Sequence, residues 1–262
     1  MSFLLLGNQR SGTNYVLDMI NQHPEIETIN EPFSMHLDFF RMDEEKWTAD
    51  DVDPQYLHQK LRMLSQTQKY ITDLNLWLNA PYPLLRGFKE TALFEKFDWL
   101  QSVVHIDKTV LIIRDPRAIV NSVMKRNMQH SFWNYKQRLS DYWGYSGSME
   151  EHIVCAELIS RRMKLLINIH ENYGYPFLKL ENLIDNPEGE IENLMSYLEM
   201  AVSPSQISFC TNTGKETRDY TYSNFRSRTD VVDQWKKMLT PKEVEDINTI
   251  FRNEISYFSY EV

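Results

Sequence analysis

The residues best placed to do chemistry form a short turn near the start of the chain, Gly7–Asn14, with the sequence GNQRSGTN. The turn follows an apolar run, Phe3–Leu6, and precedes residues 15–20, whose apolar positions recur with helical spacing. A turn between a buried strand and a helix directs its backbone N–H groups and the positive end of the helix at one point. The sequence therefore predicts an anion site in this turn, of the kind that binds phosphate.

Two positions distinguish this turn from the loop that binds nucleotides together with Mg²⁺. Gly7 and Gly12 have the GxxxxG spacing of a P-loop, but Thr13 and Asn14 stand where that motif needs Lys and then Ser or Thr. The ammonium group that reaches the β- and γ-phosphates and the hydroxyl that binds Mg²⁺ are therefore both missing. We interpret the turn as a loop for an anion other than Mg·ATP.

A second group of basic and hydroxyl side chains follows another apolar run, Thr109–Ile113. Arg114 comes directly after this run, at the edge of an α/β sheet where ligands bind. Ser122 and Arg126 are four residues apart, so they lie on one face of the helix predicted to follow. Arg114, Ser122 and Arg126 are predicted to converge on one tetrahedral anion, because guanidinium groups match phosphate geometry. The alternative is that Arg114 pairs with Asp115 or another carboxylate.

Short apolar runs and helical segments alternate along the chain. The predicted strands are Phe3–Leu6, Ile26–Ile29, Leu84–Phe88, Thr109–Ile113 and Pro176–Leu180. The predicted helices are Asn14–Asn21, Pro54–Thr67, Leu93–Gln101, Pro116–Asn127, Met149–Tyr173, Glu188–Leu198 and Pro241–Glu254. This alternation predicts an α/β fold, P-loop-like and three-layered, with a central, mainly parallel sheet flanked by helices. Residues 128–148 and 211–230 are predicted to be long surface loops, and residues 1–262 a single domain.

The composition limits the partners. The chain has 262 residues and a formal net charge of −9, which argues against a nucleic-acid partner or an anionic membrane. Two cysteines, Cys155 and Cys210, are too few for a disulfide framework or, alone, a zinc site, so we expect both to be reduced and inert. The N-terminus has neither a basic signal region nor a membrane-spanning run, and a cytoplasmic protein is expected.

The two anion sites resemble motifs of the sulfotransferases that use 3′-phosphoadenosine 5′-phosphosulfate (PAPS). Leu4–Thr13 resembles the loop that binds the 5′-phosphosulfate. Its Arg-Ser-Gly-Thr form is closer to the carbohydrate and tyrosylprotein branch than to the cytosolic aryl and steroid branch. Ile113–Ser122 resembles the 3′-phosphate motif, with the spacing from arginine to serine intact.

Two later segments extend the resemblance over most of the chain. Lys179–Pro187 is similar to the family's Tyr-Glu-Asp-Leu segment, with Leu180 in place of the usual Tyr. Arg228 precedes Trp235 by the interval that separates the family's late phosphate-binding arginine from its tryptophan.

The resemblance implies PAPS as co-substrate, 3′-phosphoadenosine 5′-phosphate (PAP) as product and no required metal. A donor with a phosphate at each end of an adenosine accounts for two separate anion sites. The residues implied to bind it are Arg10, Ser11, Gly12, Thr13 and Asn14 at the 5′ end, and Arg114, Ser122, Arg126 and Arg228 at the 3′-phosphate.

The acceptor must lose a proton as it attacks sulfur, so a general base is expected near the 5′ loop. The cytosolic branch uses a His two residues after a Lys, but here Thr91 stands in that position after Lys89. The carbohydrate and tyrosylprotein branches use a Glu at the end of the second strand, which corresponds to Glu31. We therefore expect Glu31 as base, with Glu90 as the alternative, and Lys89 and Arg10 as the catalytic cations.

The expected reaction is sulfo transfer to a hydroxyl or amine of a small-molecule, lipid or sugar-type acceptor. Two other functions stay open at this point, a P-loop nucleotide kinase and a PAPS-binding protein without turnover. The missing Walker lysine counts against the kinase, and the presence of Arg10, Lys89 and Glu31 counts against the inactive binder.

Overall fold

The structure is a computed structural model that describes residues 1–33, 68–91, 94, 97–125, 144–213 and 228–261. Its centre is a five-stranded sheet in the order β2-β3-β1-β4-β5, and every neighbouring pair is parallel. The strands are β1 (Ser2–Gly7), β2 (Ile26–Asn30), β3 (Leu85–Glu90), β4 (Lys108–Ile113) and β5 (Phe177–Lys179). All five predicted strands are present within one or two residues, and the α/β fold with a parallel sheet is confirmed.

Helices cover both faces of the sheet. They are α1 (Thr13–Ile20), α2 (residues 68–78), α3 (Phe97–Val103), α4 (Pro116–Met124), α5 (Glu151–Tyr173), α6 (Leu180–Asp185), α7 (Pro187–Tyr197), α8 (Pro204–Thr213), α9 (Arg228–Val231), α10 (Gln234–Met238), α11 (Pro241–Ile250) and α12 (Arg252–Tyr257). The predicted helix Pro54–Thr67 lies outside the described residues.

The structure corrects several predicted boundaries. The segment predicted as one helix, Pro241–Glu254, is two helices that meet at Phe251, which ends α11 and caps α12. The predicted loop 211–230 is wrong at both ends, because α8 continues to Thr213 and α9 begins at Arg228. Residues 144–148 of the other predicted loop are indeed without helix or strand. The remaining residues of both predicted loops lie outside the described chain.

The central strand β1 is buried on both faces, as expected for a parallel sheet covered by helices. Its side chains alternate between two cores. Leu4 and Leu6 pack in a cluster that includes α2 and α3, whereas Phe3 and Leu5 pack in a cluster that includes α1 and α7. A third cluster joins α4 and the first half of α5 to α10, α11 and α12.

Both cysteines are free and buried, in different clusters. Burial raises the pKa of the Cys155 thiol to about 12 and also raises that of Cys210. Both thiols are therefore kept protonated and unreactive at neutral pH. None of the helices in the described parts of the chain combines the length and the apolar character needed to cross a membrane.

Candidate functional site

Several of the predicted site residues lie at or directly after the carboxyl ends of four adjacent strands. β2 ends at Asn30, β3 at Glu90, β1 at Gly7 and β4 at Ile113, and these strands are neighbours in that order. Parallel strands end at the same edge of a sheet, and in open α/β sheets that edge binds ligands. One edge of the sheet therefore holds the loop Gly7–Asn14, called the first loop below, together with Glu31, Lys89 and Arg114.

The loop after β1 turns sharply into α1. Arg10 and Gly12 both have left-handed backbone conformations, with φ of 71° and 87°. The Ser11 amide and hydroxyl both donate to the Asn8 carbonyl, at 3.1 Å and 2.6 Å, which closes the turn. Gly12 is the N-cap of α1, and no described side chain caps this helix end. The amides of the first helical turn, which begins at Thr13, are thus available to an anion.

Gly12 lies against the start of α6. A Cβ atom on Gly12 would meet Cδ1 and Cδ2 of Leu180 at 2.7 Å, closer than real Cβ contacts allow. Leu180 is the residue that departs from the family's tyrosine, and here it packs on the first loop. The positive φ favours glycine at position 12, and a Cβ there would also displace the Leu180 side chain.

Glu31 and the end of β3 form a compact polar cluster. The Lys89 ammonium lies 2.5 Å from Glu31 Oε1, and the Thr91 hydroxyl donates to the same oxygen at 2.9 Å. Lys89 is almost fully buried, whereas the Glu31 side chain is 21% exposed. Glu31 also has a left-handed backbone, with φ of 48°, and its amide donates to the Lys89 carbonyl at 2.7 Å.

Glu90 lies on the opposite face of the same strand. Successive strand residues point to opposite faces, so Lys89 and Thr91 share one face and Glu90 has the other. Glu90 is fully buried, and its Oε1 accepts a hydrogen bond from the Phe33 amide at 2.8 Å. The end of β3 thus holds the segment from Glu31 to Phe33 from both sides.

Arg10 connects the two predicted anion sites. Its Nε donates to the Ser122 hydroxyl on α4 at 3.0 Å, and its carbonyl accepts a hydrogen bond from Arg114 at 2.7 Å. Arg114 also donates to the carbonyl of Val231 in α9. Arg10, Arg114 and Ser122 are therefore brought together, with α9 beside them.

Two residues predicted for the 3′-phosphate fall outside this description. Arg126 lies beyond the described residues, which end at Lys125 in this part of the chain. Arg228 is the first residue of α9, but its side chain is outside the described part.

Asp115 has a structural role. Its carboxylate caps α4 by accepting the Arg117 amide at 2.9 Å, and it forms an ion pair with the Arg117 guanidinium at 2.8 Å. The Arg117 guanidinium in turn stacks on the Trp235 ring, 4.2 Å from its centre. The tryptophan that the sequence pairs with Arg228 thus fixes the start of α4.

Glu181 is a buried carboxyl group for which the sequence suggested no role beyond its segment. It accepts the Asp115 amide at 2.8 Å and the Tyr260 hydroxyl at 3.3 Å, so it connects α6, the end of β4 and the C-terminal segment. Burial raises the pKa of Glu181 above its ordinary value, against the opposing effects of hydrogen bonds and of Arg114. Burial and the charge of Glu181 also raise the pKa of Tyr260.

The family model of the sulfotransferase domain matches residues 2–259, almost the whole chain. The chain is a member of the sulfotransferase domain family. Comparison with curated protein sequences finds no significant match.

Solved sulfotransferases share the fold of this one at low sequence identity. The sulfotransferase domain from the curacin biosynthetic pathway is 12% identical with a TM-score of 0.60, over 99% of this chain and 98% of that one. Sulfotransferase STF9 from Mycobacterium avium is 12% identical with a TM-score of 0.56, and the match covers 100% of this chain and 77% of that one. Mouse sulfotransferase SULT7A1, solved with PAP, is 14% identical with a TM-score of 0.53, and the match covers 97% of this chain and 84% of that one.

Proposed function

We propose that this sulfotransferase moves the sulfo group from PAPS to a hydroxyl or amine of a small-molecule, lipid or sugar-type acceptor, with Glu31 as general base. The observation that carries the proposal is the position of Arg10. Its side chain contacts Ser122 of the 3′-phosphate motif, and its backbone belongs to the 5′-phosphosulfate loop. One residue between two anion sites suits a donor with a phosphate at each end of an adenosine.

The described residues fit such a donor at both ends. At the 5′ end, the uncapped start of α1 offers backbone amides, and Thr13 is the first residue of this helix. We also assign the Arg10 guanidinium, which contacts Ser122, to this end of the donor. At the 3′-phosphate we assign Arg114 and Ser122, together with Arg126 and Arg228.

The chemistry requires positioning and neutralisation of charge, as in phosphoryl transfer. The acceptor oxygen or nitrogen attacks sulfur, its proton passes to the Glu31 carboxylate, and the bond from sulfur to the 5′-phosphate oxygen breaks. Lys89 and Arg10 stabilise the negative charge that develops on the sulfo group and on the departing PAP.

Glu31 suits the role of base better than Glu90. The Glu31 carboxylate is partly exposed at the edge where the donor loop lies, and one of its oxygens receives both described side-chain donors. Glu90 is fully buried on the other face, and its carboxylate is engaged by the Phe33 amide. The Arg-Ser-Gly-Thr loop and a base in this position favour the carbohydrate and tyrosylprotein branch.

A substrate panel tests the reaction. The purified protein is incubated with PAPS and each of 4-nitrophenol, a primary alkyl alcohol, glucose and glucosamine, and products are followed by the mass gain of one sulfo group. We expect transfer to at least one acceptor class. PAPS binding without any sulfonated product would favour the inactive binding protein, and phosphorylation with Mg·ATP would favour the kinase.

The base is tested by Glu31→Gln. Because a positioned general base contributes roughly 10²–10⁴-fold, kcat should fall by about that factor while PAP affinity stays the same. Glu27→Gln is the matched control, since Glu27 lies in β2, the strand that Glu31 follows, but pairs with Arg86 at 3.0 Å. Unchanged turnover in Glu31→Gln would remove the assignment of the base.

A further inference from the structure

Among the described residues, side chains donate to only one oxygen of the Glu31 carboxylate. Lys89 and Thr91 are the two described side chains that donate to it, and both donate to Oε1. These donors occupy alternate positions at the end of β3, so they approach the carboxylate from the same face of the sheet. No described residue donates to the other carboxylate oxygen, Oε2, so Oε2 is the oxygen that would meet an acceptor.

Lys89 serves two anions if it also binds the donor, so its interaction with Glu31 weakens when the sulfo group arrives. The ammonium is almost fully buried and lies 2.5 Å from a single carboxylate oxygen. When an anionic sulfo group enters the same edge, it competes with Glu31 for this cation. A lysine that turns to the sulfo group leaves the carboxylate with one side-chain donor fewer.

Thr91 does not face this competition. Its hydroxyl is neutral, the residue is 2% exposed, and its β-branched side chain has little rotational freedom. The hydroxyl therefore stays on Glu31 Oε1 when the charge distribution of the site changes.

We propose that Thr91 is a positioning residue that keeps the Glu31 carboxylate aimed at the acceptor once Lys89 has turned to the donor. This inference rests on the proposed function, since it assigns a second residue to the action of the same base. Thr91 stands where the cytosolic branch has its histidine base, so the position keeps a part in catalysis although it carries no base.

The experiment compares Thr91→Val with Thr91→Ser, in the wild-type protein and in the Glu31→Gln variant. Valine keeps the shape of threonine and removes the hydroxyl, whereas serine keeps the hydroxyl. Turnover is measured with PAPS and the panel acceptor that gives the most product, and the affinity for PAP is measured by calorimetry. Thr109→Val is the matched control, because Thr109 is a fully buried strand threonine whose hydroxyl faces Gln101.

In Thr91→Val we expect kcat to fall about tenfold, the loss typical of one hydrogen bond to a charged group. PAP affinity and the melting temperature should change no more than in Thr109→Val, and Thr91→Ser should stay within about twofold of the wild-type kcat. The loss should disappear in the Glu31→Gln background, because the hydroxyl then has no base to hold.

Three results would overturn the proposal. They are an unchanged kcat in Thr91→Val, an equal loss in Thr91→Ser, and a loss that persists in full beside Glu31→Gln. Each of them leaves the sulfo transfer itself intact. A wild-type protein that transfers no sulfo group to any acceptor instead removes the proposed function, and the role of Thr91 with it.

Discussion

At the scale of single residues, Arg10 and Glu31 each make more than one contact in the site. Arg10 contacts Ser122 through its side chain and Arg114 through its carbonyl. One carboxylate oxygen of Glu31 accepts hydrogen bonds from both Lys89 and Thr91. The sequence indicates the residue types and their order along the chain, but not these shared contacts, because each contact joins segments that are far apart in sequence.

Arg114 shows how the structure refines a residue-level prediction. Its donors reach two backbone carbonyls, those of Arg10 and Val231, so it connects the loop Gly7–Asn14 to α9. We expect Arg114→Ala to weaken PAP binding by about tenfold or more, because it removes hydrogen bonds from a charged donor. Isothermal titration with PAP measures the loss.

The control for Arg114 is at the opposite end of the same strand. Lys108→Ala removes a basic residue whose ammonium pairs with Glu199 at 2.7 Å, at the amino end of β4. This variant should bind PAP as the wild-type protein does. If Arg114→Ala bound PAP as tightly as Lys108→Ala does, then the assignment of Arg114 to the 3′-phosphate would be wrong.

At the scale of elements, register decides which residues meet. Asn30 of β2 is paired with Lys89 of β3, and this pairing brings Glu31 beside Lys89 and Thr91. A shift of one residue would turn Lys89 and Thr91 to the opposite face of the sheet. Apolar runs predict that both strands exist, but local sequence does not specify their pairing, so the cluster could not be derived in detail.

The contact between the first loop and α6 makes a prediction for Gly12→Ala. Position 12 has a positive φ of 87°, and the added Cβ would lie 2.7 Å from the Leu180 methyl groups, so either the Leu180 side chain or the loop must shift. We expect a lower melting temperature together with weaker PAP binding, both measurable on the same preparation by thermal unfolding and calorimetry.

Gly174→Ala is the control for Gly12→Ala, because it introduces the same backbone strain without a contact to the first loop. Gly174 ends α5 with a φ of 71°, and an added Cβ there meets nothing within 4 Å. This variant should lose about 1 kcal/mol of stability and keep its affinity for PAP. If Gly12→Ala also loses stability but keeps its affinity for PAP, then the contact between Gly12 and Leu180 does not shape the first loop.

At the scale of the whole molecule, the sheet was the most predictable part. The central strands β1 and β4 are mostly apolar and buried, as expected for parallel strands covered on both faces. All five strands are present where the sequence places them. Five helices, α2, α6, α8, α9 and α10, were not predicted. α9 and α10 are only four and five residues long, so tertiary contacts rather than their own periodicity define them.

The buried carboxyl of Glu181 connects distant parts of the molecule and predicts a pH dependence of stability. Because burial raises its pKa in the folded protein, the folded state binds the proton more tightly than the unfolded state does. Stability from this group is therefore highest below the ordinary carboxyl pKa and falls as the pH rises toward the raised value. Glu181→Gln removes this dependence while keeping an acceptor for the Asp115 amide.

Urea unfolding at several pH values tests this prediction. The stability of Glu181→Gln relative to the wild-type protein should rise with pH above the ordinary carboxyl range. A difference between the two proteins that does not change with pH would show that Glu181 titrates alike in the folded and unfolded states.

The backbone conformations at Arg10 and Glu31 have a consequence for engineering. Both are non-glycine residues with positive φ, a conformation that costs free energy for any side chain with a Cβ, and both belong to the proposed machinery. Selection for thermostability alone would favour glycine at either position, because glycine adopts this conformation without strain. Such a stabilised variant would lose the cation or the base, so activity and thermal tolerance compete at these two positions.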